Sequence, residues 1–179
     1  NNASASVPFI GDIYITNSSE NMLLSARLRG GFTNETVEII HSGATTTFTY
    51  HIHLLRSRSG WFDRVECSKT IKRGVKFDVL MKEYRFSEEV NDPLLPADKN
   101  TNSEKVTKDF DELKKWLSEL DSVSLVPSKQ IIQGNKYYVS IKADLKTTKL
   151  WFPFNYILFF VSFWDIITDW EVSSPFTID

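Results

Sequence analysis

Cysteine is almost missing from this chain of 179 residues, where Cys67 stands alone. A single thiol excludes an internal disulfide and any zinc site built from several cysteines. It is usual in the cytosol, yet compatible with an exported protein. Excess charge of one sign is lacking as well. With 21 Lys and Arg against 23 Asp and Glu, the formal net charge is −2, so no broad positive field draws in nucleic acid, and no nucleic-acid partner is expected. A membrane span needs about 20 consecutive apolar residues, and the most apolar stretch is broken by Pro153, Asn155, Ser162 and Asp165. The start, Asn1 to Ser6, carries no cationic and apolar regions in order, so no signal peptide is visible. The nucleophile elbow, the phosphate loop and the dinucleotide fingerprint are all missing. No motif joins a nucleophile, a base and an oxyanion donor at recognisable spacing, so the chain is expected to be no enzyme and to need no cofactor.

What is present is a balanced globular composition, 41% hydrophobic and 25% charged. At this length a fold buries roughly 70% of the surface its unfolded chain exposes. One domain over residues 1–179 is expected. Phe9, Ile13 and Ile15 alternate with Asp12, Tyr14 and Thr16, and Met22, Leu24, Ala26 and Leu28 alternate with Ser25, Arg27 and Arg29. A period of two reads as strand. Over 33–42 the period becomes helical, with Thr33 as N-cap and Gly43 at the C-terminal end. Phe48, Tyr50, Ile52 and Leu54 against Thr47, Thr49, His51 and His53 make the clearest strand.

Val65, Cys67 and Ile71 then share a face, Arg73-Gly74 suggests a turn, and Val75, Phe77, Val79 and Met81 read as the next strand. The apolar parity changes at Tyr84 and Phe86, as a β-bulge would produce. Thus 8–87 is a β-rich part with a short helix. A polar loop follows over 88–107, then a helix over 108–121 and a β-hairpin over 129–147 turned by Gln133-Gly134-Asn135. An aromatic-rich segment over 150–179 closes the chain. The expected fold is mainly β (or α+β): an antiparallel, two-layer, sandwich-like domain with two to three short helices.

Four features bear on function. His51 and His53 sit at i and i+2 on one strand face, where two imidazoles would grip one metal if His41, Asp63 or Glu66 supplied a third ligand. The plainer reading is two surface histidines, and the alternative is a metal-dependent hydrolase. Cys67 alternates in phase with apolar residues and reads as a buried, inert thiol. Lys69, Lys72, Arg73 and Lys76 read as a cluster at a hairpin tip, either facing an anionic group or simply solvated. The C-terminal segment concentrates aromatics, among them Trp151, Phe159, Phe163 and Trp164. These form either a buried lid over the sheet or an exposed patch that contacts a protein, a lipid or a membrane surface. A carrier with a pocket for a hydrophobic ligand between the sheets is a further alternative.

Several segments together resemble one family. They are Thr36-Val37-Glu38-Ile39-Ile40-His41-Ser42-Gly43, Lys82-Glu83-Tyr84-Arg85-Phe86, Phe110-Asp111-Glu112-Leu113, Gly134-Asn135-Lys136-Tyr137-Tyr138-Val139, Leu150-Trp151-Phe152-Pro153 and Trp170-Glu171-Val172-Ser173-Ser174-Pro175-Phe176. The family comprises small exported bacterial proteins of unknown function, often encoded beside a membrane-bound sensor histidine kinase. In this chain the 88–107 segment is longer, and Phe176 stands where the family has Trp. The resemblance brings no catalytic residues. It implies export to the periplasm and, by association, an envelope or membrane-bound signalling partner. Together with the missing catalytic motif, it leads to the expectation of a non-catalytic binding or accessory module of the cell envelope.

Overall fold

The computed structural model describes residues 7–93, 104–147 and 165–178. Two open antiparallel sheets face each other, with two α-helices at their side. The smaller sheet has the order β1 (Phe9–Asn17), β2 (Asn21–Arg29), β7 (Glu119–Pro127). The larger contains β3 (Thr46–Arg56), β4 (Arg64–Asp78), β5 (Glu83–Asn91), β6 (Lys105–Thr107) and β8 (Lys136–Thr147). Its order is β8-β3-β4-β5-β6, and three short strands line the free side of β8: β9 (Asp165–Ile167), β10 (Glu171–Val172) and β11 (Phe176–Thr177). Helix α1 (Asn34–His41) is capped by Thr33, whose side chain accepts from the Thr36 N–H, and Gly43 leaves it at a φ of +83° that suits glycine. Helix α2 (Phe110–Ser118) is capped by Asp109, which accepts from the N–H groups of Asp111 and Glu112. The antiparallel, two-layer architecture is the one the alternation implied.

The core lies between the sheets. Phe48, Tyr50, Ile52 and Leu54 of β3 meet Met22, Leu24, Ala26 and Leu28 of β2, with Leu113 and Leu117 of α2 beside them, all buried. Each Leu, Ile, Met or Phe side chain among them contributes about 1.5–3 kcal/mol of transfer free energy.

Several local expectations are corrected by the pairing. In β1 the register shifts between Gly11 and Tyr14, with Asp12 at a φ of 52°. The bulge changes the parity, so Ile10 is buried and Phe9 faces out. Strand β4 runs straight through Arg73-Gly74, because Gly74 pairs with Thr47 on one side and Ser87 on the other. Ladder bonds on both sides outweigh a local turn preference. The turn comes later, where Asp78 Oδ1 accepts from the N–H groups of Leu80 and Met81. The parity change at Tyr84 belongs to that turn, not to a bulge: Phe77 pairs with Tyr84 and Val75 with Phe86. A real irregularity lies where Leu54 pairs with Cys67 but Leu55 with Val65, so Val65 faces solvent while Cys67 is buried.

The segment expected as a polar loop is strand as far as Asn91 and again over β6, which pairs back onto Tyr84–Phe86. The helix expected to run to 121 ends at Ser118, and β7 follows at once. Lys129 lies in a 3₁₀ turn, Ser128–Gln130, and the expected hairpin does not form because β8 pairs with β3. The chain is crossing from the small sheet to the large one at this point, so it does not fold back.

Four polar side chains of the large sheet point inward and tie the layers together. Arg73 donates from Nε to Glu88 Oε2 (2.6 Å) and from Nη1 to the carbonyls of Glu119 (2.6 Å) and Trp116. Its guanidinium lies 4.8 Å from the Trp116 ring centre. Tyr50 Oη donates to the Leu117 carbonyl at 2.6 Å. These are the last carbonyls of α2 and its C-cap, which a helix leaves without partners and which favour a cation. Lys69 donates to the Ser124 carbonyl and pairs with Asp92 at 2.8 Å, and Cys67 Sγ–H donates to the Leu125 carbonyl at 3.3 Å. Both carbonyls belong to β7, an edge strand of the small sheet, whose outer groups have no partner strand.

Candidate functional site: the outer face of the large sheet

The even-odd alternation that buries Phe48 to Leu54 sends Thr49, His51 and His53 of β3 to the opposite face. Antiparallel pairing sets Asp144, Lys142 and Ser140 of β8 directly across from those three residues. His51 Nε2 lies 2.9 Å from Asp144 Oδ2, and Lys142 Nζ 3.9 Å from Asp144 Oδ1. Asp144 is buried although it lies on this outer face. The reason is the C-terminal strap that runs alongside β8.

That strap is fastened at two points in the same way. Thr168 donates its N–H to the Ala143 carbonyl, and its Oγ1 accepts from the Ala143 N–H. Ser173 makes the same reciprocal pair with Val139. Between the clasps the strap has residues 169–172 where β8 has only 140–142, so the strap holds one residue more than β8. The extra length lifts Trp170 over the face. Its ring centre lies 4.8 Å from that of His53 and 5.3 Å from Lys142 Nζ, and the residue remains 42% exposed. Burial lowers the His53 pKa, and the nearby charges of His51 and Lys142 lower it further. The result is a flat patch of one indole, two imidazoles and an ammonium.

His51 and His53 are therefore neighbours, as expected, but with different engagements: the first is held by Asp144 and the second is covered by Trp170. The three residues considered as a third metal ligand lie elsewhere. His41 Nε2 is 2.7 Å from Tyr84 Oη. Asp63 accepts from Tyr138 Oη (2.6 Å) and from the Arg58 N–H, which holds its carboxyl below the usual range. Glu66 pairs with Arg56 at 2.8 Å. Among the described residues no group of three His, Cys, Asp or Glu side chains is arranged to hold a metal ion. Cys67 is buried, and burial raises its thiol pKa, which disfavours the reactive thiolate.

The four basic residues expected at a hairpin tip lie within β4 instead. Lys69 and Arg73 face inward, while Lys72 and Lys76 face out. An open groove of about 440 Å³ runs along that outer side, lined by Thr45, Gly74, Lys76, Arg85, Ser87 and Glu104. A water-sized cavity of about 10 Å³ is lined by Thr36, Ile39, Thr46 and Leu145. Trp151, Phe159, Phe163 and Trp164, the aromatics proposed for contact, lie outside the described residues. Among the described residues no helix is long and apolar enough to cross a membrane.

Sequence reasoning missed Trp170 as a partner of His53. The signal was only its place in the segment Trp170 to Phe176.

The family described as a domain of unknown function (DUF4390) matches residues 8–173, and the chain belongs to it. The match takes in both helices, the two clasps at Thr168 and Ser173, and both sheets apart from β11. No curated protein and no solved structure matches the chain.

Proposed function

We propose that the chain is a non-catalytic binding module of the cell envelope, acting through contact with an envelope or membrane-bound protein. The observation that carries the reading is the patch of Trp170, His53 and Lys142. An indole held at 42% exposure over a histidine and a lysine is the kind of group that supplies binding free energy at interface cores. A second support is the use made of the inward-facing ionisable groups. Lys69, Arg73, Tyr50 and Cys67 are taken up by the carbonyls of α2 and β7. The envelope location and the link to signalling rest on the resemblance to exported proteins. Trp151, Phe159, Phe163 and Trp164 belong to the same proposal as candidate contact residues.

The test is site-specific photocrosslinking in envelope fractions, with the crosslinker placed at Ser140 beside the patch. The expected result is one discrete adduct that Trp170→Ala abolishes while leaving the thermal midpoint nearly unchanged. No adduct, or one indifferent to Trp170→Ala, refutes the patch as the contact. For the four aromatics, alanine at an exposed contact position leaves stability nearly unchanged, whereas at a buried one it costs about 3–5 kcal/mol. If all four variants unfold, that segment is structural and drops out of the proposal.

A further inference from the structure

The β3–β4 connection, residues 57–63, carries the two most exposed aromatic side chains among the described residues: Trp61 at 80% and Phe62 at 96% exposure. Neither contributes appreciably to the core, so the fold does not explain them. The loop is nevertheless well fixed. Asp63 accepts from the Arg58 N–H at 3.1 Å and from Tyr138 Oη at 2.6 Å, which fastens the loop to β8. The Ser57 N–H donates to the Lys136 carbonyl, and Gly60 takes a φ of +78° that turns the tip. Two aromatics are thus displayed on an ordered protrusion.

The charges around the tip point to what it meets. Arg58, Arg64 and Lys136 are exposed at this end of the sheet. The carboxylates nearby are already engaged: Asp63 by Tyr138 and the Arg58 N–H, Glu66 by Arg56 and more loosely by Arg64 at 3.7 Å. Arg58 and Lys136 enter no ion pair among the described residues. An apolar tip collared by cations matches an anionic bilayer surface. Trp favours the headgroup boundary, guanidinium groups bind phosphate, and Phe reaches the acyl region. A protein partner fits less well. A stable protein interface needs about 800 Å² per side, and a convex tip of two side chains offers far less.

We infer that residues 57–64 dock the protein onto anionic lipid, with Trp61 and Phe62 inserted at the headgroup boundary and Arg58, Arg64 and Lys136 against the phosphates. The inference rests on the reading of the chain as an envelope module and adds the surface on which it sits. It also leaves the patch around Trp170 free to meet a partner.

The test is co-sedimentation of the full chain with two kinds of vesicle, phosphatidylethanolamine with phosphatidylglycerol and phosphatidylcholine alone. Wild type should sediment with the first and not with the second, and binding should weaken as salt rises. Trp61→Ser/Phe62→Ser should reduce binding by at least about tenfold at an unchanged thermal midpoint, since both side chains are solvent-exposed. Arg58→Gln/Arg64→Gln should reduce it less and remove most of the salt dependence. Leu80→Ser, at the opposite end of β4, is the control and should bind as wild type does. The inference is overturned if wild type ignores both vesicles, if the tip variant binds normally, or if Leu80→Ser is the variant that loses binding. It is also overturned if the tip proves to capture a soluble protein while ignoring lipid. The adduct at Ser140 is scored in the same variants. If wild type ignores both vesicles yet still gives the adduct, the membrane tip alone fails, whereas a wild type that gives no adduct sinks the binding-module reading.

Discussion

The two faces of β4 carry the same residue types and put them to opposite uses. Lys69 and Arg73 face the core, at 5% and 7% exposure, and bind groups on other parts of the chain: the Ser124 carbonyl and Asp92 for Lys69, the Glu119 carbonyl and Glu88 for Arg73. Lys72 and Lys76 face out, and Lys72 meets Glu89 only at 4.0 Å. An inward cation must be paired because desolvating it costs several kcal/mol, and here the unpartnered carbonyls of α2 and β7 supply the pairing. An outward cation stays hydrated and contributes little. The difference teaches that charge in this chain says nothing of function until its face is known. The groups that hold the sandwich shut are as ionisable as those on the candidate binding patch.

The contrast can be broken most severely at Arg73. Arg73→Met keeps the volume but leaves the carbonyls of Trp116 and Glu119 unpaired and Glu88 without its cation. It should cost about 3 kcal/mol in urea unfolding. Tyr50→Phe, which removes only the hydroxyl bonded to Leu117, should cost about 1–2 kcal/mol by the same measurement. An unchanged midpoint in either variant would show that the inward polar groups are not struts.

On the outer face the effect should be smaller and should depend on pH. The folded His53 pKa lies below its unfolded value of 6.5 because burial, then His51 and Lys142, disfavour the imidazolium. Above that value the imidazole is neutral in both states and no penalty exists. As pH falls through it the unfolded chain takes up the proton first, so stability is lost until the folded group protonates too. The urea midpoint should therefore fall as pH drops through about 6.5, the ordinary imidazole value, and His53→Asn should make that fall shallower. Equal slopes would mean that Trp170 does not cover the ring. Smallest of all, Lys72→Ala should stay within about 0.5 kcal/mol of wild type.

Much of the architecture was legible. The β2 and β3 alternations placed Met22 to Leu28 and Phe48 to Leu54 on the core face, and Thr33 and Gly43 marked both ends of α1. These signals are local: a period, a cap, a glycine. The same local reading failed at Arg73-Gly74, where two neighbouring strands override a turn preference, and at Lys129 to Ile132, where the expected first arm of a hairpin begins in a 3₁₀ turn. Strand β7 was hidden because its first residues continue the helical pattern of α2.

For the candidate site the division is sharper. Sequence alone put His51 and His53 on one face, buried Cys67 and collected the aromatics of the C-terminal segment, because strand parity and hydropathy act between neighbours along the chain. Only the tertiary structure decided which strand would lie beside β3. That choice delivered Asp144 to His51, and the clasps of Thr168 and Ser173 laid Trp170 on His53. It also decided that Lys69 and Arg73 would be struts while Lys72 and Lys76 stayed in water. The physical reason is that a side chain's partner across a sheet is fixed by register and layer packing, which sum contributions from residues far apart in sequence.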